Sequence, residues 1–401
     1  MSVTKMSAAE VLGQPLDLPC GGQLKNRLVK SAMSDSLGDG EGNPTAEQAR
    51  LYERWAMGGV ALSVIGEVQT SPDYPEKPGN LVLAPGVDMA ALKTLALRGA
   101  ADGAHLWPQL GHAGALAYDG ISRPKGPSPL NVPGLVSEAL SLGEIRALPG
   151  AFARSAGIAR EAGFGGVLLH AGHGFLFSQF LSPLFNHRTD AYGGSVANRF
   201  RIVAEVISAV RDAVGRSFPV GIRINATDQL VGGLTQADAL EVVDLLDQTS
   251  IDLIDISGGT YFPGAASSSE GRGTGPYFVE FSRAAKARTS IPIMVTGGFK
   301  TRTEAAEAVR TGAADAVGVA RAMVLNPSLA DDWLRQTGGD PVFPGFETPP
   351  KGGITAWYSM RMTALGQDAE EGFDLGLPEA LQAYDTRDAM RSLRWKKRFN
   401  L

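Results

Sequence analysis

Cysteine is almost absent from this 401-residue chain, in which Cys20 stands alone. A single cysteine excludes an intramolecular disulfide framework, and it also excludes an iron–sulfur cluster held by four cysteines. An excess of basic charge is absent too, because 37 lysines and arginines face 42 aspartates and glutamates and give a formal net charge of -5. That balance provides no electrostatic reason to expect nucleic acid or an anionic membrane as a partner.

Long hydrophobic runs are also absent, and no apolar stretch has the length needed to span a bilayer. The N-terminal segment MSVTKMSAAEVLGQPLDLP lacks the apolar core of a secretory signal peptide. We therefore expect a cytoplasmic protein with a small-molecule substrate, and its oligomeric state, a homo-oligomer included, stays open. A hydrophobic fraction of 44% and a charged fraction of 20% are ordinary for a globular chain that buries one large core.

Short apolar runs alternate with longer amphipathic segments along most of the chain. The apolar runs predict strands at 28–33, 60–65, 104–110, 166–170, 219–224, 251–257, 291–296 and 314–319. The amphipathic segments predict helices at 45–57, 88–103, 143–163, 195–214, 235–248, 277–288, 301–311 and 327–336. Eight such units predict an α/β fold, a (β/α)8 TIM barrel over about residues 27–338.

The sequence predicts a single domain that spans residues 1–401, and three further segments belong to it besides the barrel. Residues 16–26 predict a hairpin around Gly21-Gly22 that closes the bottom of the barrel. The Pro- and Gly-rich stretch that runs to about residue 142 predicts a long loop that works as a functional flap. Residues 339–401 form a C-terminal extension, in which 354–365 predict one more helix.

Two histidines follow the fourth predicted strand, at the end of the barrel where such folds place their catalytic groups. His170 and His173 can donate two hydrogen bonds to one oxygen and so stabilise negative charge that develops there. One alternative is a zinc site, but zinc normally takes at least three protein ligands, and the chain has only three other histidines and one cysteine. A structural role for the two rings is the other alternative. We interpret the pair as oxyanion-binding donors and expect no metal.

Small residues and an arginine follow the seventh and eighth predicted strands. Gly297-Gly298 and Gly318-Val319-Ala320-Arg321 combine accessible backbone N–H groups with a guanidinium, an arrangement that binds phosphate in many barrels. The alternative is that these glycines only allow tight turns. Arg223 ends the fifth strand, and its buried charge needs an anionic or electron-rich partner. An internal ion pair with Asp255 would meet the same requirement.

The densest pattern in the chain lies at 165–199, GGVLLHAGHGFLFSQFLSPLFNHRTDAYGGSVANR. From His170 onward it resembles the active-site strand and loop of the old yellow enzyme family, the FMN-dependent ene-reductases. The family pattern has His-x-x-His or His-x-x-Asn, then Ser-Gln-Phe-Leu-Ser-Pro, Asn-x-Arg-Thr-Asp-x-Tyr-Gly-Gly-Ser and Asn-Arg, and nearly all of it is present. Phe175 departs from the pattern, because the family usually has a proton-supplying tyrosine at that place.

The resemblance implies FMN as the cofactor, NADPH or NADH as the reductant and an activated alkene as the acceptor. Hydride would pass from the nicotinamide to the flavin and then to the alkene, whose oxygen would bind His170 and His173. Gln109 and Arg223 would contact the flavin pyrimidine edge, and Ser34 would replace a Thr or Cys near the flavin C4=O group. His112 would either join that edge or brace its loop. The implied cofactor-binding residues are Ala32, Met33, Ser34, Gly66, Gln109, Arg223, Gly297, Gly298, Gly318, Ala320 and Arg321.

Phe175 cannot donate a proton, so the resemblance leaves the proton donor open between Tyr261, after the sixth strand, and an ordered water. The glycine patterns at 163–166 and 271–275 lack the strand-turn-helix context of a dinucleotide fingerprint. The nicotinamide would therefore take turns with the acceptor over one flavin face. Two alternatives stay open: a flavin-independent phosphate-binding barrel enzyme, such as an aldolase or isomerase, and a flavin-binding barrel that has lost reductase activity.

Overall fold

The computed structural model describes residues 6–263, 265 and 275–401, and a closed ring of parallel strands is its central element. Its strands are β1 (Leu16–Asp17), β2 (Gln23–Leu24), β3 (Leu28–Lys30), β4 (Leu62–Gln69), β5 (Leu81–Val82), β6 (His105–Gly111), β7 (Lys125–Gly126), β8 (Leu130–Val132), β9 (Leu135–Ala139), β10 (Val167–Ala171), β11 (Val220–Asn225), β12 (Leu253–Ser257), β13 (Ile293–Thr296) and β14 (Ala316–Val319). The ring follows chain order through β3, β4, β6 and β10 to β14, and β14 pairs with β3 to close it. The predicted (β/α)8 barrel is confirmed.

Helices surround the ring and begin mostly at side chains that cap them. Ser141, Ser195, Thr235 and Thr301 each accept a hydrogen bond from a backbone N–H of the first turn, as good N-caps do. The helices are α1 (Ala8–Leu12), α2 (Ala46–Met57), α3 (Met89–Gly99), α4 (Leu142–Ala162), α5 (Leu176–Leu181), α6 (Val196–Val214), α7 (Gln236–Leu246), α8 (Val279–Lys286), α9 (Arg302–Arg310), α10 (Arg321–Leu325), α11 (Leu329–Arg335), α12 (Gly353–Gly366) and α13 (Leu377–Phe399).

The barrel strands are buried on both faces, which explains their nearly continuous apolar sequence. Successive side chains point to opposite faces, so Leu168 of β10 joins the cluster inside the barrel while Leu169 joins the cluster beneath the helices. The antiparallel hairpin β1–β2 places Leu16 and Leu24 in the inner cluster together with Leu168. The predicted hairpin is therefore present, and its leucines fill one end of the barrel interior.

Two segments outside the barrel differ from the sequence predictions. The stretch before α4 is more than a loop, because β7, β8 and β9 form a small three-stranded sheet in it. The extension contains the predicted helix as α12, but it also contains the long helix α13, which was not predicted. Only four residues of α13 are buried, Ala380, Tyr384, Asp388 and Trp395, and one of them is charged. Such a sparse apolar stripe gives a weak periodic signal.

Across the described ranges, no helix combines the length and the apolar content that a membrane crossing requires. Residues 1–5 of the N-terminal segment and residues 271–274 of the glycine pattern lie outside the described part of the chain.

Trp395 should hold α13 against the barrel, because its ring is fully buried and its Nε1–H donates to the carbonyl of Pro72 at 3.2 Å. Replacement by alanine should cost about 3–5 kcal/mol, the usual range for a large buried aromatic ring. Hydrogen exchange of the α13 amides and urea unfolding would measure the loss. Leu393→Ala is the matched control, since Leu393 is 71% exposed on the same helix. Equal, small effects of both variants would show that α13 does not depend on Trp395.

Candidate functional site

A cavity of about 1000 Å³ opens at the carboxyl ends of the barrel strands, where ligands bind in this fold. Its outer wall comes from segments beyond the barrel, and it includes Tyr118, Tyr358 and Tyr384. The cavity brings together most of the predicted site residues, namely Ala32, Met33, Ser34, His173, Phe175, Arg223, Tyr261, Gly297, Gly298, Gly318, Ala320 and Arg321. A recess of about 50 Å³ shares several of them and adds Gln109. In the described structure, Gly66 and His170 line neither space.

The glycine-rich end of the cavity is tightly built. Gly297 and Gly298 have φ angles of 126° and 83°, which side chains rarely adopt. A Cβ on Gly298 would lie 2.1 Å from the carbonyl oxygen of Gly275, so both conformation and space require glycine there. The guanidinium of Arg321 lies 5.8 Å from the ring centroid of Tyr358, on the cavity wall. The two glycines therefore do form tight turns, and the cationic Arg321 lines the same cavity.

Arg223 is buried, and its charge is balanced inside the barrel. Its Nε donates to Oδ2 of Asp255 at 2.6 Å, and its Nη2 donates to the hydroxyl of Ser31 at 2.5 Å. Thr296 also donates to Asp255, at 2.8 Å. The internal ion pair that the sequence left as an alternative is therefore present. Because the guanidinium also lines the cavity, Asp255 holds it in place toward a ligand.

Gln109 has a buried side-chain amide whose oxygen and nitrogen both lack a hydrogen-bond partner among the described residues. A buried amide without partners is costly, since each polar group loses its water without compensation. Gln109 lies on β6 beside β10 and borders the recess. An amide that offers one donor and one acceptor fits the edge of a planar ring carrying alternating N–H and C=O groups. Gln109 and Arg223 therefore suit the pyrimidine edge of a flavin.

Beyond the end of β3, the side chain of Ser34 makes a polar contact with Glu76. Ser34 pairs with Gly66 in a parallel bridge, so Gly66 supports the cavity wall without lining it. The hydroxyl of Ser34 donates to Oε2 of Glu76 at 2.9 Å. Burial raises the pKa of Glu76 to about 7, with the nearby carboxyl of Glu67 adding to the effect. The Ser34 hydroxyl thus has a protein partner that the sequence did not predict.

The two histidines lie beside different protein groups. His173 lines the cavity, with Nε2 at 3.0 Å from the hydroxyl of Ser257. His170 is 1% exposed, and its Nε2 lies 3.1 Å from Oε1 of Glu67. The ring centroids are 5.2 Å apart and nearly perpendicular. Each Nε2 thus lies beside a different protein oxygen, and the role of the two rings as joint donors to one substrate oxygen stays a prediction.

Backbone contacts fix His173 in an unusual conformation, with a φ angle of 59°. Its N–H donates to Oδ1 of Asn225 at 2.9 Å, and Nδ2 of Asn225 donates to the carbonyl of Gly259 at 2.9 Å. Asn225 thus ties the ends of β10, β11 and β12 together. Sequence reasoning missed this residue, although it ends the same VGIRIN strand as Arg223.

Four rings form one cluster, those of His170, His173, Phe175 and Tyr261. Phe175 lies 5.0 Å from His170, and Tyr261 lies 5.9 Å from both His173 and Phe175, as measured between ring centroids. Phe175 is buried, whereas Tyr261 is 56% exposed. Desolvation in the cavity and the carboxyls of Glu76 and Glu67 raise the pKa of Tyr261 to about 12. The phenol therefore stays protonated at neutral pH.

His112 has a bracing role, one of the two that the sequence allowed. Its Nδ1 accepts from the N–H of Gly114 at 3.0 Å, and its ring stacks on Tyr74 at 4.3 Å. In the structure His112 lines neither the cavity nor the recess. The described ranges also contain no group of three or more His, Cys, Asp or Glu side chains placed to hold a metal ion.

Comparison with known proteins places these features in a family. The model of the NADH:flavin oxidoreductase / NADH oxidase family matches residues 12–336. The NADH-dependent flavin oxidoreductase iliE of Hypocrea jecorina (strain QM6a) is 32% identical over 348 residues, which are 79% of this chain and 86% of that protein. The iliE protein of Neonectria sp. (strain DH2) is 35% identical over 353 residues, but this chain spans only 46% of its length and the match covers 79% of this chain.

Two further proteins extend the comparison. An NADPH dehydrogenase of Geobacillus sp. (strain WCH70) is 30% identical over 309 residues, 77% of this chain and 89% of that protein. The solved structure of the old yellow enzyme homologue from Zymomonas mobilis has a TM-score of 0.73 at 22% identity, covering 85% of this chain and 98% of that chain. It shows the same fold. The resemblance inferred from residues 165–199 is thereby confirmed, and the chain belongs to the NADH:flavin oxidoreductase / NADH oxidase family, the old yellow enzyme family of FMN-containing, NAD(P)H-dependent oxidoreductases.

Proposed function

We propose that this protein passes a hydride from NADH or NADPH, by way of FMN, to an activated alkene such as an α,β-unsaturated carbonyl or nitro compound, or to a similar electron acceptor. The observation that carries the proposal is one cavity that joins His173, Arg223 and the glycine-rich end with Arg321. When bound, FMN supplies the two-electron carrier between the nicotinamide and the acceptor.

Two parts of the cavity suit the two ends of FMN. The phosphate fits the glycine-rich end, where Gly297, Gly298, Gly318, Ala320 and Arg321 face the cavity. The ring edge fits the partnerless amide of Gln109 and the fixed guanidinium of Arg223. The ring would also lie against the end of β3, which Ala32, Met33, Ser34 and Gly66 form.

His173 suits the oxygen of the acceptor. Burial lowers the pKa of His173 well below its ordinary value, and the neighbouring His170 and Arg223 lower it further. The ring is therefore neutral and carries one N–H, which can stabilise negative charge on a substrate oxygen. Because a neutral imidazole is a poor acid, the proton that completes the reduction must come from another group.

Membership of an FMN oxidoreductase family favours this function over a flavin-independent aldolase or isomerase. A flavin protein without reductase activity would differ in one observable. Its flavin would accept electrons from NADH or NADPH, but an enone would not reoxidise it. Anaerobic reduction followed by mixing with cyclohexenone in a stopped-flow instrument therefore tests the proposal, and wild-type flavin that stays reduced would contradict it.

Arg321→Ala should weaken retention of FMN, because it removes one charge-assisted contact to the phosphate, worth about 1.5–3 kcal/mol. Titration of the apoprotein with FMN, followed by fluorescence quenching, would give the dissociation constant. Arg335→Ala is a suitable control, since that side chain is 72% exposed on α11. Unchanged FMN affinity in Arg321→Ala would place the phosphate elsewhere.

His173→Ala should slow the reaction of the reduced enzyme with an enone by about 100- to 1000-fold, the usual cost of losing one oxyanion donor. His170→Ala should also slow it, because its ring packs edge-on against His173. Flavin content should change little, and the charge-transfer band of a bound phenol should disappear in His173→Ala. His187→Ala provides a control with an exposed histidine. Normal phenol binding in His173→Ala would show that the oxygen binds to other donors.

A further inference from the structure

The carboxyl-bearing residue Glu67 borders the recess of the cavity. Glu67 lies on β4 and is 8% exposed. The recess that it borders is also lined by Gln109, His173, Phe175 and Tyr261. The recess is lined as well by Met33, Ser34 and Arg223, which suit the flavin ring, so Glu67 would stand where that ring meets an acceptor held by His173.

The surroundings of Glu67 favour its neutral, protonated form. Among the described residues, the ion pairs of the structure give Glu67 no cationic partner except His170, and burial lowers the pKa of that imidazole well below its ordinary value. Arg223, the nearby permanent cation, is paired with Asp255. Burial raises the pKa of Glu67 to about 8, and Arg223 opposes the shift only in part. At pH 7 the group is therefore mainly a carboxylic acid.

His170 presents its ring to this acid. The N–H of Gly172 donates to Nδ1 of His170 at 3.3 Å, which assigns the proton of the neutral ring to Nε2. Nε2 lies 3.1 Å from Oε1 of Glu67, but the angle of this contact does not meet that of a hydrogen bond. Nε2 has no other partner among the described residues. His170 thus stands beside one carboxyl oxygen. The other oxygen packs against Gly111, where a Cβ would approach Oε2 to 2.6 Å.

Tyr261 is the competing donor, and its phenol is a weaker acid than the carboxyl of Glu67. The phenol has a pKa of about 12, whereas the carboxyl of Glu67 has a pKa of about 8. A general acid works best when its pKa lies near the working pH, because it is then protonated and still gives up its proton readily. Phe175, whose ring lies 5.0 Å from that of His170, has no proton to give.

We infer that Glu67 is the proton donor to the acceptor, a role that rests on the proposed alkene reduction. The nicotinamide-derived hydride brings two electrons and forms a C–H bond at the β-carbon of the alkene. The electron pair of the broken C=C bond moves to the α-carbon and the oxygen held by His173. The O–H bond of Glu67 then breaks, its proton forms the C–H bond at the α-carbon, and water reprotonates the carboxylate.

Glu67→Gln tests this role, because the amide keeps the shape and the acceptor oxygen but has no acidic proton. Cyclohexenone turnover should fall by about 100-fold or more, as expected when a general acid is lost. Reduction by NADH or NADPH and turnover of a quinone, which needs no carbon protonation, should stay within about threefold. Glu280→Gln is the matched control, since that side chain is 87% exposed.

A second readout does not depend on turnover. The infrared spectrum of the holoenzyme should show a protonated carboxyl band at pH 7 that is missing in Glu67→Gln and that titrates near pH 8. The groups that face Glu67 are His170 on β10, Arg223 on β11, Tyr261 after β12 and Glu76 after β4. The enone rate of the wild type should fall above about pH 8 as Glu67 loses its proton, and Glu67→Gln should lack that step.

The outcomes separate this inference from the proposed function. A wild type that reduces no alkene would contradict the proposed function itself. A wild type that reduces enones as fast as Glu67→Gln, or a collapse of enone turnover only in Tyr261→Phe, would overturn the role of Glu67 alone. If Glu67→Gln does not fold, Gly111→Ala serves instead, because its Cβ displaces the carboxyl. Equal losses of enone and quinone turnover in that variant would indicate a structural role and overturn the inference.

Discussion

The buried ion pair between Arg223 and Asp255 is the interaction on which the site depends. Taking both charges out of water is expensive, and it is tolerated only with close pairing and further hydrogen bonds. Ser31 and Thr296 provide those bonds, so side chains from the β3 region, β11, β12 and β13 meet at one point inside the barrel. A change of register in β11 or β12 would leave a charge unpaired, and a change in β13 would remove the hydrogen bond from Thr296. The same contacts aim the guanidinium at the cavity.

At the carboxyl ends of the strands, hydrogen bonds of Asn225 fix the residues that border the cavity. Asn225 connects the turn after β10 with the strands β11 and β12, and this holds His173 in a left-handed conformation that few side chains adopt. Carboxyls of Glu67 and Glu76 stand nearby, both with raised pKa values because they are buried. The cavity and its recess thus combine a permanent cation, the neutral imidazole of His173 and two carboxyls with pKa values of about 7 and 8, so the number of bound protons can change near neutral pH.

The barrel was predictable because parallel strands buried on both faces leave apolar runs that alternate with amphipathic helices. The motif at 165–199 also predicted the family and placed His173 at the cavity. It could not reveal that His170 lies beside Glu67, since β4 lies far from β10 in sequence and the two strands come close only by pairing with β6. Glu67 comes just after the predicted strand 60–65, and this place at a strand end is the local signal that could have marked it. Helix α13 was missed because its buried stripe is sparse and includes Asp388.

The cavity has two walls of different origin. The strand ends supply the groups to which the proposal assigns FMN. Tyr118, in the segment that carries the small sheet, and Tyr384 of α13 form part of the outer wall. These outer segments are appended to the ring and are not members of it. Substitutions there can reshape the space offered to an acceptor while the buried ion pair and the glycine turns keep their geometry. Acceptor choice and redox chemistry are therefore physically separable, and selection can alter the first while the second persists.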